Sequence, residues 1–309
     1  MIIELQGYKI NLPDVPKDRT QIDNWDKPKK DQYFVRPYQM EDDEFDNLSP
    51  AKQDEIRRIE TERRVLGYWF YNNGVATYMT GNAYFYFTYW KIGGMSPLFI
   101  MNQLEDFYFD YYCDNDPMCL GSIRMKPRQE GCTQRRLSAY CNQAMLNFHQ
   151  YYGIQSKTGG DAEEKNFDQL VMSFADLPEW MKPEVQSPNF PPHKSLIFGK
   201  QRNSNKKAGR YLNSKIDWEA TVKNGYDGAT LNKILLDEGS KWEGANVYET
   251  WNILRPALEK RKGKCYMLST VGETNEDSVE AWRTLWRQSD YNKRNQNGYT
   301  TSGLYRWFI

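Results

Sequence analysis

The sequence predicts an α/β fold in which helices flank a mostly parallel central sheet. Two segments carry this prediction. An apolar run at 120–125 is followed by a tight loop at 126–133 and by a helical pattern that begins near Gln134. Further along the chain, the apolar run Ile234-Leu235-Leu236 ends in two carboxylates. In a parallel sheet, the loop and the carboxylates would both lie at the carboxyl edge of the strands, where ligands bind.

Length and composition limit the classes of protein that the chain can represent. A chain of 309 residues can bury a sizeable core as one large domain or two smaller ones. Its 41 basic and 41 acidic residues balance, so no global positive field indicates nucleic-acid binding. The five cysteines and two histidines lack metal-ligand spacing, which predicts reduced thiols and no zinc site. The sequence has no apolar run of membrane-spanning length and no signal peptide, which predicts a soluble, intracellular protein.

The first 63 residues are polar and contain several prolines, which predicts an N-terminal extension preceding one domain at 64–309. A charged helix is expected to begin at Pro50, after Ser49 as N-cap, and to end near Leu66. Its interleaved arginines and glutamates favour a solvated face; a patch facing DNA or another subunit is the alternative.

Two β-rich runs are predicted between Tyr68 and Trp90, on either side of the hairpin signal Asn72-Asn73-Gly74. The apolar spacing at 101–112 then predicts a helix.

The loop Lys126-Pro-Arg-Gln-Glu-Gly-Cys-Thr133 is a candidate phosphate-binding loop, because backbone N–H groups before a helix hold anions well. It departs from the pattern G-x-x-x-x-G-K-[ST]: the first glycine is absent, and Cys132 occupies the lysine position. An ordinary strand-to-helix turn is the alternative. Lys126 and Arg128 could supply the missing cation, and Thr133 the hydroxyl that binds Mg²⁺.

Asp237 and Glu238 are candidates for the metal-binding and water-activating groups that the loop itself lacks. Asp237 would hold Mg²⁺ through water, and Glu238 would polarise the attacking water. Taken alone, Asp-Glu after a strand also fits a polar turn. The loop and the acid pair together, in this order, favour a nucleotide hydrolase.

The remaining segments complete the predicted α/β pattern. A helix is expected over 133–152, with Arg135 and Arg136 in salt bridges or, as the alternative, acting on a neighbouring site. Loops are expected at 156–165 and 187–194, and the basic tip at 199–210 is a candidate contact for the DNA backbone or a partner. The further predicted strands are 195–198, 216–221, 265–268 and 300–309, and the further helices are 246–262 and 276–287, the latter packing Trp282 and Trp286 in the core.

These segments together resemble the large terminase subunits of tailed bacteriophages, some of which carry the lysine at the start of the loop, where Lys126 stands. The resemblance spans roughly 64–309. The matching stretches are Arg128-Gln129-x-Gly131-x-Thr133, the segment 226–242 around the acidic strand and the strand-ending coupling motif at 264–273. The aromatic stretch 67–92 is similar to terminases of phages infecting Bacteroidetes, including crAss-like phages.

The resemblance implies an ATPase with a phosphate-loop NTPase fold of the additional-strand type (ASCE, RecA-like), with ATP and Mg²⁺ as cofactors. Catalysis would involve Glu238, Arg128 and Thr270, where Thr270 couples hydrolysis to motion. Mg²⁺ would be held by Thr133 and Asp237. The nucleotide would be bound by Lys126, Arg128, Gln129, Glu130, Gly131, Cys132, Thr133 and Gln134, and its adenine would be read by Gln103.

The family's role implies translocation of double-stranded DNA into a viral prohead by a ring of subunits, in the host bacterial cytoplasm. The expected partners are DNA, the portal protein and the small terminase subunit. Large terminases usually continue into an RNase-H-like nuclease; nothing in these residues resembles one, so no cleavage is expected from this segment. A helicase-type remodeller and an inactive nucleotide-binding structural protein are the alternatives.

Overall fold

The computed structural model describes residues 1–186, 190–199, 212–270 and 276–309. The chain forms two compact units, the first comprising Met1–Tyr112 and Ser173–Lys182 and the second Cys113–Met172 and Pro183–Ile309. The predicted boundary between residues 63 and 64 stays a prediction. In the described residues, no helix combines the length and the apolar character needed to cross a membrane.

The first unit consists of two hairpins and helices. Its strands are β1 (Ile2–Leu5), β2 (Tyr8–Asn11), β3 (Tyr68–Asn72) and β4 (Val75–Met79); its helices are α1 (Asp42–Asp46), α2 (Pro50–Leu66), α3 (Gly81–Thr88) and α4 (Met101–Asn115). The predicted hairpin turn is confirmed, since β3 and β4 pair antiparallel on either side of Asn73 and Gly74.

One prediction for the first unit is corrected, and the predicted solvated face of α2 excludes two of its charged residues. The aromatic run at 81–88 is a helix rather than a strand, because the Thr80 hydroxyl caps it by accepting from the Ala83 N–H and every residue but Asn82 is buried. Helix α2 is solvated on one side only. Its Glu60 is buried and accepts a hydrogen bond from the Tyr84 hydroxyl at 2.9 Å, and Arg64 is buried with its guanidinium over the Phe85 ring.

The second unit is built on one seven-stranded sheet. Its strands are β5 (Gly121–Lys126), β6 (Tyr151–Gln155), β7 (Ser195–Phe198), β8 (Ser214–Trp218), β9 (Lys233–Leu236), β10 (Lys264–Thr270) and β11 (Tyr305–Phe308), and they lie in the order β11-β5-β10-β9-β6-β8-β7. All neighbours are parallel except β7 and β8. The predicted fold class is confirmed: β10 is the additional strand between the loop strand β5 and the acid strand β9.

Helices cover both faces of this sheet. On one face, α7 (Val247–Arg261) and α8 (Glu276–Gln288) pack their apolar sides on β5, β9 and β10. Trp282 is buried in this core and Trp286 packs against it, as predicted. On the other face, α5 (Cys132–Leu146) carries Tyr140, whose ring stacks on Tyr152 of β6 at 5.1 Å. Burial on both faces explains why the strands read as continuous apolar runs.

Two sequence predictions in this unit need revision, and a third stays untested. The helix after the loop ends at Leu146 instead of 152, and the next residues form β6. His149, in the left-handed region at φ +56°, lies in the connection between them. The segment predicted as a loop at 156–165 includes the start of a π-helix, Asp161–Phe167, which α6 (Asp168–Ala175) continues. The basic tip lies outside the described residues except for Gly199.

Candidate functional site

The candidate phosphate loop connects the end of β5 to the start of α5. Gln129 and Gly131 both have left-handed backbones, at φ +66° and +70°, which turn the chain sharply before the helix. Gly131 is the N-cap of α5, so the free N–H groups of the first helical turn open beside the loop. Arg128 and Gln129 are exposed on the loop, whereas Cys132 is buried beneath it. A helix N-terminus of this kind favours negative charge, so the loop stays a candidate phosphate-binding loop.

Arg135 supports the loop from below. Its guanidinium is buried and donates to the Glu130 carbonyl oxygen, and it lies 3.2 Å from the Cys132 Sγ. The neighbouring Arg136 is buried as well, with its guanidinium carbon 3.4 Å from the centre of the Tyr266 ring. Both side chains are therefore part of the interior, and the salt bridges predicted for these two arginines stay a prediction.

The structure brings the loop and the acid strand together. The Thr133 hydroxyl, in the first turn of α5, donates to Asp237 Oδ1 at 3.1 Å. The Asn166 amide lies 3.4 Å from the other carboxylate oxygen. Two segments far apart in sequence thus meet at the carboxyl edge of the sheet, as the parallel arrangement predicted.

Asp237 is buried at the end of β9, and its backbone is held on both sides. Its N–H donates to the Gln155 carbonyl at 2.8 Å, and its own carbonyl accepts from the Trp242 indole N–H at 2.8 Å. Burial raises the pKa of Asp237 to about 6, although the charge of Lys126 acts in the opposite direction. A buried carboxyl whose ionised form lacks enough compensation is well suited to receive a cation.

Glu238 presents its two carboxylate oxygens to different partners. Oε1 accepts from the Lys126 ammonium at 3.1 Å, whereas Oε2 accepts from Lys241 at 2.5 Å and from the Thr270 hydroxyl at 3.2 Å. Burial alone would raise the pKa of Glu238, but the hydrogen bond from Lys241 and the charge of Lys126 outweigh it and hold the pKa below its ordinary value. The carboxylate is therefore ionised at neutral pH.

Lys126 is the last residue of β5 and is almost completely buried. In the sheet it lies directly opposite Thr270, the last residue of β10. Burial opposes its positive charge, but the charges of Asp237 and Glu238 outweigh that effect and raise the pKa of Lys126. A permanent cation thus lies beside the loop although Cys132 occupies the usual lysine position.

A pair of serines connects the acid strand to the neighbouring strand. The Ser240 and Ser269 hydroxyls are 2.6 Å apart, and the Ser240 N–H donates to Ser269 Oγ at 3.2 Å. Ser269 and Thr270 end β10, and residues 271–273 of the predicted coupling motif lie outside the described part of the chain.

Two predicted nucleotide-binding residues lie outside the loop and the acid pair. Gln103 lies on α4 in the first unit, and its Oε1 is buried without a hydrogen-bond partner among the described residues. Its role as the adenine-reading residue stays a prediction. Gln134 is half-buried in the first turn of α5. Sequence reasoning missed Asn166 and Lys241; only Lys241, three residues after Glu238, carried a local signal.

The oxygen ligands present at this site fit a magnesium ion. Mg²⁺ binds one or two protein oxygens and keeps several waters, and the neighbouring Thr133 hydroxyl and Asp237 carboxylate are such oxygens. Across the described ranges, no group of three or more His, Cys, Asp and Glu side chains could hold a metal.

Comparison with known proteins gives a distant structural likeness. No protein-family model and no curated protein matches the chain. Among solved structures, the R139A mutant of the Thermus phage P74-26 large terminase ATPase domain aligns with a TM-score of 0.45 and 16% identity, covering 62% of this chain and 76% of that one. The same domain without the mutation gives 0.42 and 15%, covering 62% and 75%. At these values the likeness carries no conclusion about activity.

Proposed function

We propose that this chain hydrolyses ATP with the help of Mg²⁺. The observation that carries the proposal is the contact between Thr133 and Asp237 at 3.1 Å. This contact joins the candidate phosphate loop to Asp237 of the acid pair. A nucleotide hydrolase needs this combination, a cradle for negative charge beside a carboxylate that can act on water.

In this proposal the backbone N–H groups at 129–134 and the Lys126 ammonium hold the phosphates, and Arg128 reaches them from the exposed side of the loop. Thr133 and Asp237 would hold Mg²⁺, which stabilises the charge that develops on the phosphates. Glu238, ionised at neutral pH and beside the loop, orients and deprotonates the attacking water.

We further propose that the chain is the ATPase domain of a viral large terminase subunit that moves double-stranded DNA into a prohead. The ordered set of sequence motifs, including the aromatic stretch similar to terminases of Bacteroidetes-infecting phages, supports this assignment. Gln103 would read the adenine, and Thr270 would relay hydrolysis to motion. The partners would be DNA, the portal protein, the small terminase subunit and further copies in a ring, in the cytoplasm of the bacterial host.

The first test is ATP turnover by the purified chain with Mg²⁺, with EDTA, and with added double-stranded DNA. We expect phosphate release that requires Mg²⁺ and that DNA stimulates. Nucleotide binding without any turnover would contradict the proposed hydrolysis and favour an inactive nucleotide-binding structural protein. Cys132 in the usual lysine position is the observation that suggests this alternative. Turnover that DNA leaves unchanged would contradict the motor assignment while preserving the hydrolase.

Replacing Lys126 tests whether the displaced cation binds phosphate. We expect Lys126→Ala to lower kcat/KM for ATP by about 10²- to 10³-fold, because it removes a buried charge that faces the phosphates. The matched control is Lys157→Ala, which removes a partly exposed lysine paired with Glu243 at 3.5 Å and should leave kcat/KM unchanged. Equal turnover in the two variants would refute the role of Lys126.

A further inference from the structure

Lys241 is a half-buried cation beside the acid pair, and the chemistry proposed above gives it no role. Its side chain is only 14% exposed, and its ammonium lies 2.5 Å from Glu238 Oε2. It also donates to the Thr270 hydroxyl, which itself lies 3.2 Å from the same carboxylate oxygen. The Lys241 ammonium, the Thr270 hydroxyl and Glu238 Oε2 therefore contact one another pairwise.

The backbone places Lys241 for this contact. Glu238 has a left-handed backbone at φ +52°, and the short 3₁₀ turn Gly239–Lys241 follows it. The Lys241 N–H donates to the Glu238 carbonyl at 2.8 Å, and Ser240 is anchored to Ser269 of β10. The turn that carries Lys241 is therefore held by Glu238 and by Ser269 of β10. Because the turn is already ordered, the lysine loses little conformational freedom when it pairs with Glu238.

Nucleotide binding would change the partner of one Glu238 oxygen and leave the partners of the other in place. Oε1 is paired with Lys126, the cation that the proposed function assigns to the phosphates. Phosphate would draw Lys126 away from Oε1 and leave that oxygen open to water. Oε2 keeps Lys241 and Thr270, neither of which has to move.

We propose that Lys241 is a positioning residue that fixes Glu238 through Oε2, together with Thr270, so that Oε1 faces the attacking water. The proposal rests on the ATP hydrolysis proposed above. Without Lys241 the Glu238 carboxylate would rotate toward Lys126, and Oε1 would no longer face the attacking water. A misplacement of about 1 Å at a reacting group lowers rates by up to about 10²-fold.

The test compares Lys241→Met, Thr270→Val and the double variant with the unaltered chain, and uses Lys223→Met as the control. Lys223 is exposed and lies 3.7 Å from Glu249. Three quantities are measured for each protein: kcat for ATP, Kd for Mg²⁺ and the non-hydrolysable analogue AMP-PNP by calorimetry, and the thermal midpoint.

We expect Lys241→Met to lower kcat by about 10- to 100-fold, with Kd and the thermal midpoint close to those of the control. The double variant should lose less than the product of the two single losses, because both residues hold the same oxygen. Should Lys241→Met fail to fold, Lys241→Gln, which removes the charge at smaller structural cost, is measured with the same expectations.

Three results would overturn the proposal: kcat equal to that of the control, Kd weakened as much as kcat, or single losses that multiply fully in the double variant. The second result would assign Lys241 to phosphate binding or to folding. If the unaltered chain does not hydrolyse ATP, the proposed hydrolase fails and this role fails with it. Hydrolysis by the unaltered chain that Lys241→Met leaves unchanged removes the Lys241 role alone.

Discussion

Glu238→Gln is expected to lower kcat for ATP hydrolysis by about 10³-fold or more while the chain still binds nucleotide. The amide has the shape of the carboxylate and can still accept from Lys241 at the Oε2 position, so the fold around the site should persist. It cannot accept a proton from water, and it no longer balances the charge of Lys126. Steady-state phosphate release and calorimetric binding of AMP-PNP measure the two effects separately.

The control for this variant is Glu243→Gln. Glu243 lies five residues further along, and its side chain is 65% exposed in an ion pair with Lys157. An exposed pair of this kind contributes little to stability, and its loss should leave kcat unchanged. Turnover by Glu238→Gln at the level of this control would refute Glu238 as the base. The phosphate-loop assignment would then depend on the result for Lys126→Ala.

Gly121→Ala is expected to destabilise the second unit by about 4 kcal/mol or more, enough to prevent accumulation of folded protein. Gly121 begins β5 at φ +124°, where side chains are strained, and an added Cβ would lie 1.7 Å from the Cys265 carbonyl oxygen. Cys265 lies opposite Gly121 in β10, so the clash would separate the two strands that carry Lys126 and Thr270. Soluble yield and the thermal midpoint are the measurements.

Gly228→Ala is the matched control. Gly228 also has a positive φ, +74°, but nothing lies within 4 Å of the added Cβ. Only the backbone strain remains, about 1 kcal/mol, which corresponds to a few degrees in the thermal midpoint. Similar midpoints for the two variants would show that β5 and β10 are not packed as closely as the structure indicates.

Local patterns were sufficient for much of the second unit. The apolar strands β5 and β9, the helices α7 and α8 and the sharp loop ahead of α5 all follow from short-range signals. Those signals are apolar runs of strand length, 3.6-residue periodicity and a glycine before a helix. They also marked Thr133, Asp237 and Glu238 as candidate site residues, because a loop with a hydroxyl and a later pair of carboxylates together favour a nucleotide hydrolase.

Other features had no local signal. The predicted helix at 133–152 overlapped the first two residues of β6, and the strand itself was not predicted, because a strand buried on both faces lacks the two-residue alternation of a half-buried one. The aromatic run at 81–88 was predicted as a strand for a related reason. Because all its residues except Asn82 are buried, it lacks the apolar and polar alternation that indicates a helix. Asn166 reaches Asp237 at 3.4 Å from a π-helix that the sequence did not indicate.

The sequence by itself predicted an α/β chain, a candidate phosphate-binding loop and a candidate pair of site carboxylates. The tertiary structure alone decided how these groups meet, because distances between residues far apart in the chain depend on strand order. With β10 between β5 and β9, Lys126 and Lys241 hold opposite oxygens of Glu238. That arrangement joins the end of β5 to the residues that follow β9, and no single stretch of residues encodes it.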